Sequence, residues 1–248
     1  MDKVMLITGA SRGIGAATAL LAAERGYAVG INYRNQREAA EALVRQIESR
    51  GGRAVAIAAD VASEEDVVRM FRELDQTLGR LDVLVNNAGI LETQMRVENM
   101  DADRLQRVLA VNVTGSFLCA REALKRMSTR HGGKGGSIIN VSSMASRLGS
   151  PNEYVDYAAA KGAIDSMTIG LAKEVAAEGV RVNAVRPGLI NTEIHASGGE
   201  PGRVERLKSG VPLGRGGEPE EVARAILWLA SDEASYTTGG FIDVSGGR

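Results

Sequence analysis

Little in this chain of 248 residues can cross-link it or hold a metal. Cys119 is the only cysteine, which excludes an intrachain disulfide, and His131 and His195 are the only histidines, too few for a clustered zinc site. The chemistry expected is therefore free of any protein-held metal. No sign of charge dominates either. The 30 basic and 31 acidic residues leave a formal net charge of −1, so nothing draws the chain generally to nucleic acid or an anionic membrane. Long hydrophobic runs are missing as well. The apolar stretch from Val4 to Ile7 ends at once in Thr8-Gly9, well short of a signal peptide or membrane span, and a cytoplasmic location is expected. With no repeat, charged tail or Pro- or Ser-rich linker, a single domain over residues 1–248 is expected.

What the chain has is apolar material for a buried sheet: 44% of residues are hydrophobic and 25% charged, which argues against disorder. Short apolar runs recur at Val4–Thr8, Ala28–Tyr33, Ala54–Ala58, Val83–Asn86, Ser137–Ser142, Arg181–Arg186 and Phe241–Val244. These lack polar alternation, as strands covered on both faces do. Helical patterns separate them: from about Ile14 to Arg25, from Glu38 on, Glu64 to Leu78, Arg104 to Met127, Val155 to Ala177 and Glu220 to Ala230. Strand–helix alternation of this kind predicts an α/β, doubly wound Rossmann fold with a seven-stranded parallel sheet. The expected halves are a cofactor half of about residues 1–140 and a catalytic half of about 141–248, with a substrate segment near 193–218.

The first strand leads into Thr8-Gly-Ala-Ser-Arg-Gly-Ile-Gly15 and then a helix. Glycines at 9, 13 and 15 permit a tight turn and close approach of the backbone to a pyrophosphate, while the helix N-terminus offers unpaired N–H groups. The spacing G-x-x-x-G-x-G departs from the common G-x-G-x-x-G, so the turn by itself could be an ordinary strand-to-helix loop. Further along, Tyr157 and Lys161 stand four apart in a helical pattern and share a face. A nearby ammonium is expected to draw a phenol's proton affinity toward the neutral range.

Together with Asn86-Asn-Ala-Gly89, Asn112, Ser143 and Arg186-Pro-Gly188, these motifs closely resemble the short-chain dehydrogenases/reductases over nearly the whole chain. The sugar (glucose or ribitol) dehydrogenase-like and 3-oxoacyl reductase-like members are the nearest in pattern. The resemblance implies hydride transfer between a nicotinamide and a carbonyl or alcohol. Tyr157 would be the acid or base, Lys161 its tuner and ribose ligand, and Ser143 the carbonyl's partner, while Asn112 would kink its helix and carry a water linking Lys161 to solvent as a proton relay. Cofactor contacts would come from Gly9, Ser11, Arg12, Gly13, Ile14 and Gly15, from Asp60 and Val61 at the adenine, and from Asn87, Ala88 and Gly89. Pro187, Gly188, Ile190 and Thr192 would meet the nicotinamide end.

At the end of the second strand, where NAD sites carry an acid for the ribose hydroxyl, this chain has Tyr33 followed by Arg34. Arg12 and Arg34 could instead pair with a 2′-phosphate, so NADP is expected in preference to NAD. The separation of Ser143 from Tyr157 is one residue longer than usual in the family, which predicts an insertion between Leu148 and Asp156. Ser142 is the competing serine and Tyr154 a decoy without a lysine four residues on. The pocket is expected from Leu91–Met95, Met144–Tyr154 and Glu193–Gly210, with Arg147, Glu153 and His195 as candidate polar contacts or mere rim residues.

A small sugar, polyol or ketone is the expected substrate. A 3-oxoacyl-carrier-protein reductase is the alternative, suggested by Lys125, Arg126 and Arg130 but opposed by Glu178. A dinucleotide-binding sensor without turnover is the third reading. Apolar residues on more than one side of the two long helices, including Leu118, Ala120, Ile164 and Met167, are expected to leave faces for a homotetramer or homodimer.

Overall fold

A computed structural model describes residues 2–248. Seven strands, β1 Val4–Ile7, β2 Ala28–Tyr33, β3 Arg53–Ala58, β4 Leu81–Asn86, β5 Gly136–Val141, β6 Val180–Pro187 and β7 Phe241–Val244, form one sheet in the order β3-β2-β1-β4-β5-β6-β7. Every pairing is parallel. Strands paired in parallel must be joined by crossovers, and ten α-helices supply most of them: α1 Gly13–Glu24, α2 Arg37–Ser49, α3 Glu64–Thr77, α4 Ala102–Leu109, α5 Gly115–Met127, α6 Ala145–Leu148, α7 Val155–Val175, α8 Ile194–Ser197, α9 Arg203–Leu207 and α10 Pro219–Ala230.

The central strands are mainly apolar because both faces are covered, and β1 is apolar at every position. In β1, Val4 and Leu6 enter one core with Phe71 and Leu84, while Met5 and Ile7 enter the other with Ile31 and Val85. Helix starts follow local chemistry. Ser63 accepts the Asp66 N–H at 3.3 Å ahead of α3, and Glu218 and Glu221 form a reciprocal cap around Pro219 at the start of α10. Gly30 leaves room in β2 for Leu74, whose Cδ1 would lie 2.5 Å from a Cβ placed there and would have to move.

The long pattern from Arg104 to Met127 proves to be two α-helices joined by a π turn at Ala110–Thr114. A second difference concerns the faces of the long helices. Ala120, Ile164 and Met167 are buried in the chain's own core and Leu118 packs against it. The apolar side chains left exposed on these helices are Leu105, Leu109, Phe117 and Ile169. Among the described residues no helix is long and apolar enough to cross a membrane, and no cluster of three or more His, Cys, Asp or Glu could hold a metal.

Strand order reverses between β1 and β4, and a crevice opens at their carboxyl ends, where open α/β sheets bind ligands. A cavity of about 720 Å³ fills it.

Candidate active site

The glycine turn forms the near end of this cavity. Gly9 and Gly13 have φ of +61° and +55°, in the left-handed region that disfavours a side chain. A Cβ on Gly15 would stand 2.6 Å from Asn87 Nδ2 and 2.8 Å from Ala10 Cα. The turn is stapled from two sides. Asn32 Oδ1 accepts the Gly9 N–H at 3.1 Å, and Asn87 Nδ2 donates to the carbonyls of Thr8 and Gly9 at 2.9 and 3.1 Å. Thr8 Oγ1 in turn accepts from the N–H groups of Asn87 and Ala88, both at 3.0 Å. Sequence reading missed Thr8 and Asn32. The visible signal was an asparagine inside an otherwise apolar strand.

Gly9, Ser11, Arg12, Gly13, Ile14, Tyr33, Arg34, Asp60, Val61, Asn87, Ala88, Gly89, Pro187, Gly188, Ile190 and Thr192 all line the cavity; Gly15 packs behind the turn. A cradle of glycines at the start of α1, with no side chain filling it, fits a dinucleotide pyrophosphate. Arg34 Nε sits 3.0 Å from Asp60 Oδ2, and Arg12 Nη2 donates to Ser197 Oγ at 3.2 Å. Both guanidinium groups line the cavity, held only by weak partners at or near the surface.

Tyr157, Lys161 and Ser143 line the deeper part of the same cavity. Tyr157 is half-buried and Lys161 buried on α7. Lys161 Nζ donates to the Val141 carbonyl at 2.8 Å and lies 5.5 Å from the centre of the Tyr157 ring. Burial lowers the Lys161 ammonium to about 8, with Asp165 acting in the opposite direction. Burial pushes the Tyr157 phenol up to about 12, against the lowering influence of the Ser143 hydroxyl. The sequence-based expectation of a phenol drawn toward neutrality is thus reversed in this structure. The ammonium is turned to a backbone carbonyl, and desolvation of the phenol sets the direction of its shift.

The two serines separate clearly. Ser142 is buried and donates to Asp165 Oδ1 at 2.6 Å, which ties β5 to α7. Ser143 Oγ accepts the Ala145 N–H at 3.1 Å and faces the cavity. The segment between α6 and α7, where the sequence predicts an extra residue, carries positive φ at Gly149, Ser150 and Asn152. Asn112 is fully buried in the π turn. Its Oδ1 accepts the Ile90 N–H at 3.2 Å, and its Nδ2 donates to the carbonyls of Ile90 and Val108 at 3.1 and 2.9 Å. Both amide protons are therefore committed to backbone.

Tyr154, the decoy, is buried and donates its hydroxyl to the Gly198 carbonyl at 3.1 Å. Glu153 pairs with Arg203 and with Arg206, and Arg203 stacks 4.9 Å from the Tyr154 ring. Arg147 pairs with Asp243 at 3.0 Å. His195 Nε2 meets the Ile190 carbonyl at 2.9 Å, and burial lowers the ring's proton affinity. Glu153, Tyr154, His195 and Arg203 all line the outer end of the cavity.

Residues 9–248 match the family described as enoyl-(acyl carrier protein) reductase. Uncharacterized oxidoreductase YgfF of Escherichia coli K12 is 61% identical over 245 residues, 99% of either chain. The 3-oxoacyl-[acyl-carrier-protein] reductase of Synechocystis is 42% identical, over 99% of this chain and 96% of the relative. Among solved structures, 3-ketoacyl-(acyl-carrier-protein) reductase from Brucella melitensis, complexed with NADH, superimposes with a TM-score of 0.91 at 33% identity, covering 99% of this chain and 98% of that one. The chain belongs to the short-chain dehydrogenase/reductase family and is an oxidoreductase acting on CH–OH or keto groups.

Proposed function

We propose that the chain is an NADP(H)-dependent oxidoreductase for a small carbonyl or alcohol, of sugar, polyol or ketone type, with Tyr157 as acid and base. The carrying observation is that Tyr157, Lys161 and Ser143 share one cavity with the glycine turn. The nicotinamide, when bound, supplies or accepts the hydride. The protein's part is proton transfer at the substrate oxygen. Ser143 Oγ hydrogen-bonds that oxygen, Tyr157 donates or takes its proton, and the Lys161 ammonium favours the phenolate left behind. Asn112 serves the relay by holding the π turn beside Gly89 and Lys161; a Cβ on Gly89 would lie 2.7 Å from Asn112 Oδ1 and 3.6 Å from Lys161 Nζ.

The preference for NADP is supported by Tyr33 and Arg34 at the end of β2, followed by Asn35 and Gln36, none of which is a carboxylate. Arg34 needs only to leave its partly exposed pair with Asp60, which is worth little in water, to meet a 2′-phosphate. A small substrate is supported by the state of the basic residues that would greet an acidic carrier. Lys125 and Arg126 are paired with Glu122 and Asp75, and Arg130 lies 3.8 Å from Glu178. Reduction of a 3-oxoacyl carrier is the second reading, favoured by the Synechocystis relative's name. We further assign the protein to the cytoplasm as a homotetramer or homodimer, joined through the exposed Leu105, Leu109, Phe117 and Ile169.

A carbonyl panel followed at the nicotinamide absorbance, with NADPH and NADH side by side, tests these readings together. A higher kcat/KM with NADPH on a small ketone or sugar is expected. Strong preference for NADH, or activity confined to carrier-bound 3-oxoacyl groups, would overturn the respective assignments. Tyr157→Phe should abolish turnover and leave NADPH binding intact.

A further inference from the structure

We infer that Arg104 and Asp156 are a positioning pair that holds Tyr157 in register with the pocket wall, an inference resting on Tyr157 as the acid. Neither residue lines the cavity. Both side chains are almost wholly buried, at 4% and 2% exposure, with Arg104 Nε 2.7 Å from Asp156 Oδ2. The second carboxylate oxygen, Oδ1, accepts the N–H of Tyr157 itself at 2.9 Å. Arg104 Nη1 donates to the Thr93 carbonyl at 2.6 Å, in the loop that follows β4 along the cavity. Two residues on, the Met95 N–H donates to the Glu153 carbonyl at 3.0 Å and closes the circuit back to α7.

One guanidinium thus joins three parts of the site: α4, which runs into the π turn of Asn112; the loop whose Ile90 clasps Asn112; and the first turn of α7. A buried ion pair is a poor way to gain stability, since apolar residues of similar volume commonly do as well. Arg104 Nη2 is moreover buried without a hydrogen-bond partner among the described residues. Stability alone therefore leaves this pair poorly explained, whereas direction explains it. A carboxylate held by one oxygen and gripping the Tyr157 N–H with the other resists rotation of the α7 first turn. The phenol stands at the end of that lever, and a misplacement of about 1 Å at a reacting group can lower turnover on the order of 100-fold.

The test compares wild type, Asp156→Asn, Arg104→Lys and the apolar double variant Arg104→Met/Asp156→Leu. For each, thermal midpoint, NADPH dissociation constant and kcat are measured on the best carbonyl substrate of the panel. The double variant removes the pair without leaving a buried charge. Its midpoint should stay close to wild type and its NADPH binding unchanged, while kcat falls by about 10- to 100-fold. Asp156→Asn keeps an oxygen for the Tyr157 N–H and should retain more kcat than the double variant. A double variant that is folded and within about two-fold of wild-type kcat would overturn the inference. Should the double variant not fold, Arg104→Lys decides, because lysine keeps the charge but cannot span Asp156 and Thr93 together. A kcat drop of about five-fold or more at unchanged NADPH affinity supports the pair, and a smaller one refutes it. Retained turnover in Tyr157→Phe would instead remove the underlying reading.

Discussion

Replacing Asn112 tests how much of the site rests on one buried amide. In Asn112→Ala three hydrogen bonds are lost, two from Nδ2 to the carbonyls of Ile90 and Val108 and one from the Ile90 N–H to Oδ1. A net contribution of about 1 kcal/mol per bond, with up to about 2 kcal/mol more for leaving the Ile90 N–H without a partner, gives a loss of about 3 to 5 kcal/mol. At about 2–4 °C per kcal/mol for a domain of this size, the thermal midpoint should fall by about 10 °C. The informative companion is Asn112→Asp, which has nearly the same shape. Its Oδ1 can still accept the Ile90 N–H, but the other oxygen would face the Ile90 and Val108 carbonyls where an NH₂ group now donates. A role in packing alone predicts that aspartate is tolerated better than alanine. The hydrogen-bond reading predicts that aspartate is as damaging or worse. Differential scanning calorimetry of the three proteins separates them, and an aspartate variant within about 2 °C of wild type would refute the bonding argument.

Gly15→Ala should raise the NADPH dissociation constant at least about 10-fold in a fluorescence titration, because its Cβ would press on Ala10 Cα at 2.8 Å and push the turn out of shape. The two serines should part company: Ser143→Ala should lower kcat by about 100-fold or more with little change in midpoint, as loss of a group facing developing charge does. Ser142→Ala should do the reverse, losing its bond to Asp165 and lowering the midpoint while keeping most of the activity. For Lys161, whose ammonium titrates near 8 in the fold and 10.5 outside it, the unfolded chain binds more protons between these values, so this residue's contribution makes stability rise with pH across that window. Urea midpoints at pH 7.5 and 10 should therefore increase more for wild type than for Lys161→Met, and equal increases would contradict the assignment.

The fold was legible because its strands are short apolar runs bounded by turns and its helices are amphipathic. β2 and β7 begin and end where the runs Ala28–Tyr33 and Phe241–Val244 do. The π turn was legible only as a kink at Asn112 that the family resemblance implies, not from the local residues. Residues 110–114 read Ala-Val-Asn-Val-Thr, a sequence compatible with an unbroken helix. What widens the turn is Asn112 reaching back to Val108 and across to Ile90 on a loop 22 residues away. Likewise Ile164 and Met167 looked free to meet a partner, since an apolar stripe does not reveal which of two neighbours covers it. They proved to be core, and Phe117, Leu109 and Ile169 were left outside.

In the site, spacing put Tyr157 and Lys161 on one face of α7, but spacing carries no information on depth. An ammonium beside a phenol lowers the phenol's proton affinity only if it approaches the oxygen and water is not stripped from both. Here Nζ is held by the Val141 carbonyl, and burial sets a phenol near 12 beside an ammonium near 8. At neutral pH the phenol therefore keeps its proton, which is the form that donates to a carbonyl oxygen. The charge on Lys161 that stabilises the resulting phenolate is lost as pH rises through about 8. Reduction should accordingly weaken above that pH. Oxidation of the alcohol needs the phenolate and should strengthen as the solution becomes more alkaline. The opposed slopes follow from the two shifts together, and parallel pH profiles for the two directions would show that some other group carries the proton.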